Sequence, residues 1–394
     1  MNESFLKKLK RVRFTDLLHI FLFILAIIPS LVLKAVRPHI WLICESHNEA
    51  RDNAYWLFRY ICEEHPETDC VYAIDRCCDD HDKVSSIGKT VRYGSFAHWI
   101  LYLAAEYNIS TQKYGKPNAA VCYLLEVTLG ILKNRRIFLQ HGVTKDDLPF
   151  LHYDKAKLAM FCCAARPEYE FIKETFGYPE GAVQLLGFCR FDRLHGISAD
   201  KDLILIVPTW RMELQREDDP ESFRTSSYYQ HWDHLLKGSG LSALLSAYGK
   251  KAVFVLHRNM NRFEDMFSSN HDNIEVIRWQ DADITSLIEK AGVLITDFSS
   301  IYMDVAYMHR PVIYYQFDTE EYRRTHLPTG YFDYSRDGFG PICETEKDML
   351  SELESTFSMG CTMAEPYLSR TDRFFTLNDQ RNCERTFHAI MKMK

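Results

Sequence analysis

Short apolar runs, each closed by polar or turn-forming residues, alternate along this chain with stretches of helical spacing. His39–Cys44 (HIWLIC) reads as a first buried strand. In Glu49–Glu64 the apolar residues Ala54, Leu57, Phe58 and Ile61 recur at the spacing of one helix face. Cys70–Ile74 and Lys89–Tyr93 read as strands, Phe96–Glu106 as helix and Tyr107–Thr111 as strand. Ala120–Leu132 then reads as helix, and Arg136–Gln140 (RIFLQ) as a strand ending on His141 and Gly142. The series restarts with Leu203–Pro208 (LILIVP), Ala252–Leu256 and Ile274–Ile277. Val293–Ile295 is a further strand, followed by Thr296, Asp297, Ser299 and Ser300, a helical segment over Ile301–His309 and an apolar run over Pro311–Tyr315. From Leu350 the pattern is helical, with a loop near 360–366.

Strands alternating with helices predict parallel sheets covered on both faces. Gly187–Asp202 lacks periodicity and reads as a junction. The expected fold class is α/β, with two Rossmann-like domains facing a cleft. The expected parts are a membrane-associating segment 1–36, a domain 37–195, a second domain 196–350 and a helical segment 351–394.

Leu17–Leu33 is uncharged and mostly apolar, and Lys7, Lys8, Lys10, Arg11 and Arg13 precede it. Its 17 residues fall short of the roughly 20 needed to span a bilayer. Pro29 is expected to break or kink a helix near Ile28. The pattern predicts a helix lying in the interface, held by apolar burial and by basic residues on anionic lipid. The competing reading is a buried core helix.

With 394 residues, 46% hydrophobic and 26% charged, the chain has the composition of a folded globular protein large enough for two domains. A net charge of −7 gives no global basic field for nucleic acid. The twelve cysteines are dispersed and form no C-x-x-C pair, which fits reduced thiols in a cytosolic compartment and predicts no metal site.

Four predicted strands end on a reactive or anion-binding residue: His141, Arg211, His257 and Asp297. In open α/β sheets ligands bind beyond the carboxyl ends of strands. Ser299 and Ser300 stand where a strand feeds a helix, a place suited to phosphate and equally to simple helix capping.

An ordered set of motifs now gains meaning: WLICESHNEARDNAYWLFRYI (41–61), FLQHG (138–142), GFCRFD (187–192), VPTWR (207–211), LHR (256–258), LITDFSSIYMDVAYMHRPVIYY (294–315), FDTEEY (317–322) and GYFDY (330–334). By these the chain resembles the CDP-glycerol glycerophosphotransferases of teichoic acid and capsular polymer synthesis. The resemblance implies a two-domain enzyme of the GT-B type at the cytoplasmic face of the bacterial membrane. It implies transfer of a polyol phosphate from a CDP donor to a membrane-anchored glycan or polymer acceptor, with release of CMP. Neither a cofactor nor a metal is implied.

Within that frame His141 is the expected general base and His257 a donor to the pyrophosphate or leaving oxygen. Arg211, Ser299 and Ser300 are expected on the donor phosphates, and Asp297 orienting His257 or holding a ligand hydroxyl. Lys145, Arg190, Asp304 and Glu321 stand as further donor or acceptor contacts, with Asp318 and Glu320 beside Glu321 as partners for ribose or polyol hydroxyls. Asp52 and Asn53 fall in a matching motif without an assigned chemistry. The run HGVTKDDLP, with Lys145 four residues after His141, and Arg258 after His257 depart from the family's usual pattern and bear on the acceptor. A glycosyltransferase of the same architecture using a nucleotide sugar is the alternative. An inactive membrane-bound partner is a second.

Overall fold

A computed structural model describes residues 13–112, 115–215, 219–325 and 329–393. The basic residues Lys7, Lys8, Lys10 and Arg11 lie outside them. The described chain forms two compact units. Unit 1 comprises residues up to His141, Pro149–Asp192 and Asp379–Lys394; unit 2 comprises Gly142–Leu148 and Arg193–Asn378.

Unit 1 opens with helix α1 (Phe14–Val36), which has 23 residues rather than the expected 17 and continues through Pro29. A proline removes one backbone donor, and the apolar residues on both sides sustain the helix around that loss. One stripe of α1 packs on helix α3 (Phe96–Ala104), with Ala26 fully buried and the Trp99 indole donating to Nδ1 of His19 at 3.0 Å. The other side is open. Phe14, Ile28 and Val36 are 85%, 74% and 75% exposed, and Leu17, Leu18, Phe21, Ile24 and Leu31 are exposed with them. Neither expected reading holds alone, because α1 is a core helix on one stripe and an uncovered apolar surface on the other. It is long and apolar enough to cross a membrane by length and composition.

The sheet of unit 1 contains β1 (Trp41–Cys44), β2 (Cys70–Ile74), β3 (Thr90–Arg92), β4 (Tyr107–Ser110), β5 (Arg135–Phe138), β6 (Met160–Cys163) and β7 (Val183–Leu185). Their order is β3-β2-β1-β4-β5-β6-β7 and every pairing is parallel. Helix α2 (Asn53–Glu64) buries Ala54, Leu57, Phe58 and Ile61 against this sheet, the face its spacing predicts. The segment expected as one helix over 120–132 is an α-turn at Ala119–Tyr123 followed by a π-turn at Leu124–Thr128.

Unit 2 contains β8 (Asp200–Ile206), β9 (Lys251–Val255), β10 (Ile274–Ile277), β11 (Ala291–Thr296), β12 (Val312–Tyr315) and β13 (Ile342–Cys343). The order is β10-β9-β8-β11-β12-β13, again all parallel. Both sheets run outward in two directions from a central pair, β1/β4 in one and β8/β11 in the other. That is the doubly wound order, with the switch point between those strands.

The chain divides differently from the expected boundaries in two places. Residues 142–148 join unit 2, and the last helix, Asn382–Met391, returns to unit 1. The return has a plain cause. The Asp192 carboxylate accepts the backbone N–H groups of Asn382 and Cys383, both at 2.8 Å, which helix geometry leaves unpaired. Cys383, Phe387 and Ile390 then complete the core beneath β1.

Candidate active site

In unit 1 the site is built around the start of α2. β1 ends at Cys44, and the next residue, Glu45, is only 2% exposed. Its carboxylate accepts the amides of Arg51, Asp52 and Tyr55 at 2.8, 2.9 and 2.8 Å. Amides at a helix start have no partner within the helix, so a buried carboxylate there fixes the turn. Burial, and the negative charge of Asp52 beside it, push Glu45 up to about 8, against the pull of those three amides.

Asp52 caps α2 and turns one oxygen toward His141, whose Nδ1 lies 2.6 Å away. The other oxygen accepts from the Arg190 guanidinium at 3.0 Å, and the same guanidinium donates to the His141 carbonyl at 3.0 Å. Burial alone would raise the Asp52 carboxyl; the charges of His141 and Arg190 hold it below its ordinary value. Asn53 is fully buried and knots the arrangement together. It donates to the carbonyls of Leu139 and Gln140 at 3.3 and 2.8 Å and accepts the Arg190 amide at 3.1 Å.

Gln140 takes a left-handed backbone, φ 61°, which a non-glycine residue adopts only when its surroundings hold it there. The hold is visible: its side-chain amide donates to the Cys162 carbonyl at 2.6 Å and to buried Glu168 at 2.9 Å. The turn delivers the next side chain outward, and that of His141 is 66% exposed. With Nδ1–H donating to Asp52, the neutral imidazole carries its lone pair on Nε2. The result is an exposed base on a rigid polar frame.

Unit 2 places its expected site residues differently. Arg211 follows β8, and its guanidinium is spent on protein. Nε and Nη2 donate to the two oxygens of Asp318 at 2.8 and 2.9 Å, Nη2 also to Asp297 at 2.8 Å, and Nη1 to the Thr209 carbonyl at 2.8 Å. Burial opposes the charge, but the two carboxylates outweigh it and raise the guanidinium above its ordinary value. Tyr228, Phe298 and Tyr322 enclose the cation at 4.9, 5.3 and 5.0 Å. Asp297, fully buried, also accepts the amides of Thr209 and Phe298 at 2.7 and 2.6 Å.

The expected phosphate fork is therefore an internal clamp joining the ends of β8 and β11 at the switch point. Asp297 does not pair with His257; its carboxylate is fully buried, with both oxygens engaged by Arg211 and the two amides. Asp318 serves the same clamp rather than a ribose. The sequence signature, a charge just past a strand, did not distinguish a group aimed at a ligand from one aimed at its neighbours.

Ser299 and Ser300 lie directly past this clamp. Among the described residues neither hydroxyl has a hydrogen-bond partner, and Ser300 is exposed. The helix behind them, α4 (Tyr302–Tyr307), has only six residues and no side-chain cap, so capping does not account for the serines. A Cβ on Gly142 would stand 3.7 Å from Ser300 Oγ, which puts the 142–148 segment against that corner of unit 2. On this segment Lys145 pairs with Asp146 at 2.8 Å and sits 5.7 Å over the Tyr334 ring.

His257 ends β9, and its Nδ1 accepts the Asn259 amide at 3.2 Å. The ring proton of the neutral form therefore resides on Nε2, as a donor. Asp304 is half-buried on α4, Glu321 is exposed on the helix Thr319–Thr325, and Arg190 belongs to the His141 frame in unit 1. Asp52 and Glu45 are the residues that sequence reasoning left without a role. The ARDN run, which places a capping residue before an amphipathic helix, was the available signal for Asp52.

Two doubly wound α/β units thus each carry polar side chains past the ends of parallel strands, a framed histidine in one and two hydroxyls in the other. The chain belongs to the CDP-glycerol:poly(glycerophosphate) glycerophosphotransferase family, whose model matches residues 29–392. The minor teichoic acid biosynthesis protein GgaB of Bacillus subtilis (strain 168) is 28% identical over 373 residues, covering 91% of this chain and 40% of that protein. The teichoic acid glycerol-phosphate transferase of Staphylococcus aureus (strain NCTC 8325 / PS 47) is 26% identical over 199 residues, 50% of this chain and 46% of that one. The chain thus spans less than half the length of these curated relatives. The structure of the wall teichoic acid polymerase TagF superposes with a TM-score of 0.67 at 15% identity, covering 96% of this chain and 98% of the other. That likeness shows a shared fold.

Proposed function

We propose that this chain transfers a polyol phosphate, most simply glycerol phosphate, from a CDP-activated donor to a hydroxyl of a membrane-linked glycan or polymer, releasing CMP. Family membership supports the reaction class. The observation that carries the mechanism is the 2.6 Å pairing of exposed His141 with half-buried Asp52. In this reading Nε2 of His141 takes the proton of the acceptor hydroxyl as its oxygen attacks the β-phosphorus. The bond from that phosphorus to the bridging oxygen breaks, and CMP departs with the bridging oxygen. His257 donates to that departing oxygen, and the hydroxyls of Ser299 and Ser300 hold the phosphate being transferred. The reaction is then governed by alignment and charge placement. No cofactor beyond the donor is called for, and turnover is expected to survive chelation by EDTA.

The open face of α1 supports attachment to the membrane as a peripheral or monotopic protein, and the nucleotide donor places our reading at the cytoplasmic face. Leu124, Leu129 and Ile131, which follow the turn packed on α1, are exposed apolar residues as well.

The test is a donor screen with CDP-glycerol, CDP-ribitol and nucleotide sugars, following nucleotide release in the presence of a lipid-linked acceptor. CMP released from a CDP-polyol is the expected result. Consumption of a nucleotide sugar alone would sink the proposal.

A further inference from the structure

Three neighbouring parallel strands of unit 2 each end on an aromatic ring. Trp210 follows β8, His257 follows β9 and Trp279 follows β10. The imidazole lies between the two indoles, 6.4 Å from Trp210 at an interplanar angle of 30° and 5.8 Å from Trp279 at 43°. All three are half-buried, so each residue keeps some surface open to solvent. The Trp279 turn is held in place from two sides. Glu264 accepts the Trp279 amide at 2.8 Å, and Asp265 pairs with Arg278.

The order of groups across the sheet is informative. From β11 toward the edge strand β10 come the hydroxyls of Ser299 and Ser300, then the sealed Arg211 clamp, then His257, then Trp279. Neighbouring strands stand about 4.8 Å apart, so this row spans three steps, about 14 Å. An extended nucleoside diphosphate has the same sequence of chemistries over a comparable length: an anionic end, a bridging region and a flat apolar ring. Sequence reasoning left both tryptophans without a role.

The geometry points to Trp279, beside His257, as the stacking surface for the pyrimidine ring of the donor nucleotide. This rests on the donor being bound by unit 2, as proposed above. Trp279 is a binding residue here, and takes no part in proton transfer. Stacking of a base on an aromatic ring contributes about 1–3 kcal/mol, which corresponds to about 5- to 150-fold in affinity.

Calorimetry on the full chain with CMP and with inorganic pyrophosphate, which lacks a base, tests this. Trp279→Ala is expected to weaken CMP at least fivefold and to change pyrophosphate binding less than twofold, while Trp279→Phe keeps most of the CMP affinity. CMP binding within twofold of wild type in Trp279→Ala would overturn the assignment. So would an equal loss for both ligands, because the ring would then be supporting the loop rather than meeting a base. If the wild-type protein binds neither CMP nor CDP-glycerol, the donor reading itself fails, and that outcome is separate from the behaviour of the variant.

Discussion

The two units carry the same local signature, a charged or ionisable side chain just past a buried parallel strand, and use it in opposite ways. In unit 1 the frame is buried and its product is exposed. Glu45 and Asn53 hold backbone, Asp52 pairs with His141 and Arg190, and His141 emerges with 66% of its side chain in solvent. In unit 2 the product itself is buried. Arg211, Asp297 and Asp318 satisfy one another, and in the proposed mechanism the donor meets uncharged hydroxyls and a histidine instead. A charge at a strand end acts on a ligand only where its neighbours leave it a free direction. Where opposite charges from an adjacent strand reach it first, it becomes structure.

Removing Arg211 breaks this comparison most severely. Arg211→Ala leaves two buried carboxylates unpaired, and losing one partner of a buried ion pair costs roughly 3–5 kcal/mol. Unit 2 is expected to unfold or to melt far earlier, as read by thermal denaturation. A variant of wild-type stability that loses only donor affinity would restore the phosphate-fork role.

His141→Ala is the mirror experiment. Its side chain is exposed, so stability is expected to change little while turnover falls about 10²- to 10⁴-fold. CDP-donor affinity, measured by calorimetry, stays near wild type. Unchanged turnover would remove His141 from the mechanism.

Asp52→Asn sharpens the same contrast. It keeps the shape of the cap but removes the charge facing His141 and Arg190. A decrease of about 10- to 100-fold in kcat, part of what the base contributes as a whole, is expected without a change in donor affinity. Asp52→Glu should recover some of it if charge is what matters. Because the folded-state value of Asp52 is depressed, its contribution to stability is present above the ordinary carboxylate range and is lost as pH falls through that folded value. The Asn variant should therefore show a flatter acid limb in urea titrations.

Glu45→Gln probes the floor of the frame and has the smallest expected effect. Glu45 is raised, from an ordinary 4.5 to about 8. A raised carboxyl favours the folded state most at low pH, and the advantage fades as pH climbs through that window. The wild type should lose stability over it, at no more than about 1.4 kcal/mol per pH unit from this one group. The Gln variant should lack that slope. An identical slope in both proteins would show that Glu45 is ionised throughout.

Much of the architecture was legible in advance because buried parallel strands are uninterrupted apolar runs. Cys70–Ile74 and Ile274–Ile277 were readable to the residue, and the hydrophobic face of α2 was set by its spacing. β6 was not, since its MFCC run looks like any small apolar patch, and β7 has only three residues. Helix α1 ran past a proline that local rules treat as a stop. His141, His257 and the two serines were legible as candidates because their residue types can carry such chemistry wherever they stand.

The sequence by itself determined the alternation of strand and helix, the doubly wound class, the apolar N-terminal segment and the residues able to move a proton or hold a phosphate. These are local properties of hydrophobic period and side-chain chemistry. Only the tertiary structure decided that Asp52 faces His141, that Asp297 and Asp318 enclose Arg211, and that the last helix returns to the first unit. Those outcomes depend on which strand ends lie side by side. In a parallel sheet these are residues 86 to 190 positions apart, and no local pattern pairs them.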